Sequence, residues 1–447
     1  MASSGGGPAR VETVLTVSSS CKVKRTPVTL NAPRKPAGAH FKVLQWNVLA
    51  DGLAQNGDFC RVPPGCLEWE YRRPLLLQEI LEANADIICL QELNHFDELR
   101  QVLAELGYDG AFREKHASPA LKYEYPPDGM AVFYRRQRFS CGAGAVEGRS
   151  FHDDATGREQ SQGYLQIVLH DRVVGRELLV VTTHLKAKDG AECEDMRYQQ
   201  ARQLLHNVSD TVRRLQRQHN GSGSNGSHGA AEAGSPGNGA AGSLNGNGGP
   251  AAEVHGGSDL RSGGAGDAEL CGVPVVVTGD FNTMPGSKTC EAFRRHPLGL
   301  MSLWEQRPLD ATLSSGSCSD ADAWAPTSAP QALPAPQALG TDTAASSLLG
   351  SSEEPGGGWP SLPREFSTWK FRVKGESKRI SDYIWFSGGG LLRPLQRWRM
   401  LTEEEIGPSA LPSTSYASDH VSLCCEFEWN VDTDLEWAPA VQESDWG

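Results

Sequence analysis

Val273-Pro274-Val275-Val276-Val277-Thr278-Gly279-Asp280-Phe281-Asn282 decides the fold of this chain. The apolar run reads as a buried strand over Val273–Thr278. An acid and an amide follow two residues apart, just past its end. Asp280 can polarise a water there, and Asn282 can steady a neighbouring oxyanion. The plain structural reading is a strand-end turn in which Asp and Asn bond their own backbone.

The same arrangement recurs. Asn47 follows Val43-Leu44-Gln45-Trp46, Gln91-Glu92 follows Asp86-Ile87-Ile88-Cys89-Leu90, and His184 follows Leu179-Val180-Val181-Thr182-Thr183. Asp382 precedes Tyr383-Ile384-Trp385-Phe386, and Ser418-Asp419-His420 precedes Val421-Ser422-Leu423. Each has a plain alternative: a helix cap for Glu92, a core imidazole for His184, a strand start for Asp382, a turn for Ser-Asp-His, and solvated charge for Lys186 and Lys188. Against all of these together stands one pattern: a carboxylate, a water-activating acid and two imidazoles all lie at ends of apolar runs. If those ends converge, they line a cleft suited to Mg²⁺, which takes oxygen ligands and is held by one or two carboxylates plus substrate phosphate. Glu92 is the natural carboxylate for the ion and Asn47 its partner. Asp382 and His420 have the types for an acid that orients an imidazole and holds it protonated. Zinc would favour a Cys- or His-rich set instead.

Working outward, strands are expected at Phe41–Trp46, Ala85–Leu90, Met130–Tyr134, Tyr164–Leu169, Leu178–Thr183, Asp382–Phe386 and Val421–Phe427. Helices are expected over Pro74–Ala83, Phe96–Leu106 and Glu194–Leu215. Pro74 belongs in a first turn, so its helix should start near Arg72. Strands mixed with helices imply a layered α/β sandwich.

The chain has 447 residues and a formal charge of −13. It lacks the overall basic surplus of a protein that holds long nucleic acid by its phosphates. A small anionic substrate in a locally basic pocket suits it at least as well. Eleven cysteines without a framework point to reduced thiols and an intracellular, cytoplasmic protein. Cys89, Cys424 and Cys425 read as core packing. No apolar run reaches a membrane span. Residues 1–40 read as a disordered segment; six Lys/Arg against one acid also admit an organellar targeting peptide. A catalytic domain is expected over 41–429, interrupted by low-complexity insertions at 217–272 and 314–362, with an acidic tail at 430–447.

The order Trp46-Asn47, Gln91-Glu92, Pro127-Asp128-Gly129, Thr183-His184-Leu185, Gly279-Asp280-Phe281-Asn282, Ser381-Asp382-Tyr383-Ile384 and Ser418-Asp419-His420 resembles the endonuclease/exonuclease/phosphatase superfamily. That resemblance implies a deoxyribonuclease-like four-layer sandwich, two packed mixed sheets flanked by helices. It also implies Mg²⁺-dependent phosphoester hydrolysis. Val43–Ala50, Thr183–Ala187, Thr368–Arg372 and Leu401–Pro408 are similar to the nocturnin branch, related to the carbon-catabolite-repression deadenylases. The branch implies removal of the 2′-phosphate from NADP⁺ and NADPH; its deadenylase relatives imply a 3′–5′ exoribonuclease acting on poly(A) RNA. A catalytically silent adaptor is a third reading, but no catalytic residue is missing. Carried over, Glu92 binds the metal with Asn47. Asp280, beside Asn282, orients or deprotonates water. His184 and His420 contact the phosphate, and Asp382 supports His420. Lys115 and Lys186 match basic pocket residues; Lys188 stands where the branch usually has Arg, keeping charge but losing the planar fork.

Overall fold

The computed structural model describes residues 23–222, 272–309, 365–388 and 390–430. Its strands, in chain order, are β1 (Pro27–Thr29), β2 (His40–Asn47), β3 (Ile87–Leu93), β4 (Tyr108–Glu114), β5 (Gly129–Arg135), β6 (Phe139–His152), β7 (Glu159–Asp171), β8 (Arg176–His184), β9 (Val275–Asp280), β10 (Leu300–Ser302), β11 (Thr368–Arg372), β12 (Gly375–Arg379), β13 (Asp382–Ser387), β14 (Leu392–Trp398) and β15 (Leu423–Trp429). The helices are α1 (Asp51–Gln55), α2 (Trp69–Ala83), α3 (Phe96–Glu105), α4 (Ala191–Ser222), α5 (Lys288–Arg294) and α6 (Glu403–Ile406).

Two mixed sheets pack face to face with helices outside them. One has the order β1-β14-β15-β2-β3-β5-β4, the other β10-β13-β9-β8-β7-β6, and β11-β12 is a separate hairpin. At the centre of each lies a parallel pair, β2 with β3 and β8 with β9. Strands buried on both faces need apolar side chains at nearly every position, which is why β3, β8 and β9 each carry an unbroken apolar run; β2 is interrupted by Lys42 and Gln45. Parallel neighbours end on the same side. Asn47, Glu92, His184 and Asp280 are therefore delivered to one edge by the topology itself. The antiparallel strand β13 begins there, with Asp382 directly opposite Asp280.

Some expectations need correction. Residues 23–40 carry structure: β1 pairs with β14, and buried Arg25 donates to Glu79 Oε1 at 2.6 Å. Three strand residues and one arginine carry no apolar periodicity to read. The helix expected to start near Arg72 starts at Trp69, leaving Pro74 in its interior. Arg72 explains what holds that first turn: its buried guanidinium bonds the carbonyls of Leu67, Val48 and Ala417 and the Asp51 carboxylate. The α4 helix runs to Ser222, past the expected start of the first insertion at 217. The second insertion, residues 431–447 of the acidic tail and residues 1–22 lie outside the described residues. No described helix is long and apolar enough to cross a membrane.

Candidate active site

Asp280 sits at the centre of the shared edge. Its Oδ1 accepts from the Asn282 backbone N–H at 2.9 Å. Its Oδ2 accepts from Asn47 Nδ2 at 3.1 Å and lies 3.6 Å from His184 Nε2 and 3.7 Å from His420 Nε2. The turn that makes this geometry places Asn282 at φ 52° and fixes its side chain on the Leu185 carbonyl at 3.2 Å.

Glu92 reaches the cluster through a distortion of its strand. The β3–β5 register slips between Leu90 and Leu93, and Glu92 has φ 54°. A bulge re-aims a side chain, and a left-handed glutamate costs of order 1–3 kcal/mol unless its surroundings hold it. Asn47 Nδ2 holds it at 3.1 Å and the Ala50 N–H at 3.4 Å. Asn47 thus bridges Glu92 and Asp280, while its own Oδ1 accepts from the Leu49 N–H at 3.0 Å. In this orientation Asn47 spaces the two carboxylates; offering its oxygen to an ion requires the amide to turn.

The two imidazoles have opposite electrostatics. Burial, reinforced by Lys115, lowers His184 to about 4, so it is neutral at pH 7. Burial also lowers His420, but Asp382, Asp419 and Asp280 outweigh it and raise the ring to about 9. His420 Nδ1 lies 2.8 Å from Asp382 Oδ2, which also accepts from Ser367 Oγ at 2.7 Å and Ser381 Oγ at 3.1 Å. Beneath this pair a buried amide chain crosses between the sheets. Gln45 Nε2 donates to Asp382 Oδ1 (3.3 Å) and Gln91 Oε1 (2.7 Å), and Gln91 Nε2 donates to Thr182 Oγ1 (2.8 Å).

Lys115 Nζ lies 3.5 Å from buried Asp128, on the His184 side. Lys186 and Lys188 follow His184 on a loop that Arg197 ties down through their carbonyls, at 3.0 and 2.8 Å. Neither ammonium pairs with the cluster carboxylates among the described residues, and Lys188 is exposed. Asp419, which the sequence offers only as the middle of the Ser418-Asp419-His420 motif with no role of its own, also joins the site. Burial alone would lift its carboxyl; Lys370, His420 and Arg372 hold it far below the ordinary range. Lys370 donates to Oδ2, while buried Oδ1 has no hydrogen-bond partner. Proximity to His420 was the available signal.

The donor set fits a hard divalent cation. One ligand atom each from Glu92, His184 and Asp280 lie within 4.8 Å of one another. Burial, then the charges of Asp419 and Asp128, raise the Glu92 carboxyl above its ordinary range. A cation there would relieve that repulsion.

Two packed mixed sheets ending in an edge of acids, amides and one protonated imidazole define a phosphoric ester hydrolase. The chain belongs to the Endonuclease/Exonuclease/phosphatase family, whose pattern its residues 44–420 match. Nocturnin of Rattus norvegicus is 29% identical over 398 residues, covering 88% of this chain and 67% of the relative. Carbon catabolite repressor protein 4 homolog 1 of Arabidopsis thaliana is 42% identical over 105 residues, 22% of this chain and 17% of the relative. The human Nocturnin catalytic domain with bound sulfate superposes with a TM-score of 0.54 at 23% identity, covering 91% of this chain and 97% of that one.

Proposed function

We propose that this chain is a Mg²⁺-dependent phosphatase that removes the 2′-phosphate of NADP⁺ and NADPH, giving NAD⁺ and NADH. The observation that carries it is Asp280, an acid set between a neutral and a protonated imidazole beside Glu92. Likeness to nocturnin along most of the chain supports the substrate, and so does a net charge of −13, which disfavours long polyanions. The free thiols of the described cysteines support a cytoplasmic setting.

Glu92, with Asn47 after its amide turns, would hold the ion. When bound, the ion neutralises phosphoryl charge and eases departure of the sugar oxygen. Asp280 takes the proton of the attacking water, its Oδ2 aimed because Asn282 N–H fixes Oδ1. His420, protonated and oriented by Asp382, donates to a phosphoryl oxygen whose charge grows in the transition state. His184 adds a neutral donor on the other side, and Asn282 lines the same edge. Lys115, Lys186 and Lys188 are assigned to the remaining substrate phosphates.

A 3′–5′ exoribonuclease acting on poly(A) is the second reading. The β11–β12 hairpin favours it: Lys370 and Arg372 pair with Asp419, and Arg61 stacks on Phe371 at 3.5 Å, a basic and aromatic strip beside the site. Purified protein with Mg²⁺ is offered NADPH and an oligo(A) strand separately. Free phosphate from NADPH with intact oligo(A) is expected. Laddering of oligo(A) alone would overturn the phosphatase reading.

A further inference from the structure

The site extends along a row that its named residues do not fill. Across the second sheet, Ser150 pairs with Gly163, Gly163 with His184, His184 with Asp280, and Asp280 with Asp382. Directly paired residues project from the same face of a sheet. Ser150, the bare Cα of Gly163, His184, Asp280 and Asp382 therefore form one line facing the opposite sheet.

The gap at Gly163 is occupied from that opposite sheet. A Cβ on Gly163 would lie 2.2 Å from the Arg149 carbonyl oxygen of its own sheet, and 2.6 Å from Arg113 Nη2 and 2.7 Å from its Cζ. One on Gly148, two residues before Ser150, would lie 2.9 Å from Arg113 Cδ. The two glycines form a trough for the whole side chain. Arg113 is also two residues from Lys115, so both project from the same side of the β4 line.

Little inside the protein answers this guanidinium. Among the described residues its one hydrogen bond goes from Nη2 to Ser150 Oγ at 2.6 Å, and Nη1 is buried with no partner. Burial lowers its pKa, which Glu159 and Tyr164 only partly offset. A charged group desolvated this far costs free energy unless an opposite charge meets it. Strands are spaced about 5 Å apart, so the slot lies about 5 Å beyond His184 and about 10 Å from Asp280. A sugar with its phosphate held at Asp280 would turn its far side to this slot.

We infer that Arg113 is a specificity-determining residue that, with Lys115, binds the pyrophosphate bridge of a dinucleotide substrate one strand beyond His184. This rests on the NADP(H) reading above. The planar fork suits two phosphate oxygens at once, which lysine cannot match.

Steady-state phosphate release is measured for full-length wild type, Arg113→Met and Arg113→Lys, with Mg²⁺, on NADPH and on adenosine 2′-monophosphate, which has no pyrophosphate. Arg113→Met is expected to cut the preference for NADPH over the monophosphate roughly 10- to 100-fold, as for a lost charge-assisted hydrogen bond, and through KM more than kcat. Arg113→Lys should restore part of it. An equal fall on both substrates, with a lowered melting temperature, would make Arg113 a structural plug and overturn the inference, as would an unchanged preference. Wild-type protein that releases no phosphate from NADPH would instead overturn the functional reading itself, and the pyrophosphate assignment with it.

Discussion

Asp280 has four nitrogen neighbours and no lysine or arginine among them. Amide and imidazole nitrogens therefore orient its oxygens. Asp280→Asn preserves the shape and removes the base. Its kcat is expected to fall by roughly 10²- to 10⁴-fold with an unchanged or raised melting temperature. Turnover within a few-fold of wild type would sink the assignment. Glu92 behaves differently, because burial and its acidic neighbours raise its carboxyl. A raised carboxyl pKa means that ionised Glu92 costs folding free energy at neutral pH. In a chelator, Glu92→Gln should therefore melt above wild type. Added Mg²⁺ should raise the wild-type melting temperature and leave the variant nearly unmoved. A matching Mg²⁺ response in both would exclude Glu92 as the holder. His420 carries the opposite sign. Its pKa rises from 6.5 to about 9, so the folded form keeps a proton that the unfolded chain gives up. The stability this contributes is whole below pH about 6.5 and lost as pH climbs through about 9. Activity needing that proton should fall over the same upper limb. In Asp382→Asn the limb should move toward lower pH, because the carboxylate that does most to hold the proton is gone; an unmoved limb would detach the profile from His420.

At the scale of elements, what was legible follows from how strongly each segment commits to one period. The Leu179–Thr183 and Val275–Thr278 runs are central and buried on both faces, and both appear as strands. Their ends, and hence His184 and Asp280, could be placed within a residue or two, as could Asn47 and Glu92 at the ends of the runs in β2 and β3. The long strand β6 was illegible because Gly142, Gly144 and Gly148 interrupt any alternation, and two register slips follow. Gly148 breaks the pattern because Arg113 uses its space, and Gly144 because it sits at φ 75°; the space around Gly142 is open. Nothing in a sequence marks Glu92 as bulged, since the bulge is a pairing property of two strands. The amide chain Gln45–Gln91–Thr182 was hidden for the same reason: its members come from three strands and two sheets. The β1 element was missed for want of apolar residues, yet its neighbour Arg25 is fully enclosed. Arg25 Nη1 contacts Glu79, Tyr416 and Ser422, and the guanidinium lies 4.5 Å from the Trp398 ring. Removing one partner of a buried pair strands the other charge, at roughly 3–5 kcal/mol. Arg25→Met should lower unfolding free energy by about that amount in a urea titration, while kcat at a permissive temperature stays near wild type. A loss below about 1 kcal/mol would show that the strap is peripheral to stability.

On the scale of the whole molecule, the site's integrity depends on two crossovers that bring parallel strands to one edge. The β8-to-β9 crossover contains α4 and then residues 223–271, which lie outside the described set. On its far side the chain returns beside α4: a Cβ on Gly272 would lie 3.1 Å from Gln216 Nε2. Closure of the crossover therefore needs only enough chain to return from Ser222 to Gly272. The boundary matters, because α4 continues to Ser222 and its buried side, through Val208, Val212 and Leu215, covers the second sheet's outer face. A cut at 217 would remove helix, whereas a cut after 222 would not. Replacing 223–270 by about eight Gly/Ser residues should leave phosphate release within about twofold of wild type. It should also raise unfolding free energy by about 1.5 kcal/mol, since a shorter connection loses less entropy on closure. The comparison is made by urea denaturation and by turnover of the same preparations. A shortened protein that folds with full cooperativity but releases phosphate tenfold more slowly would place part of the substrate's surroundings in that segment. A site built by strand ends alone would then be too small a description of this enzyme.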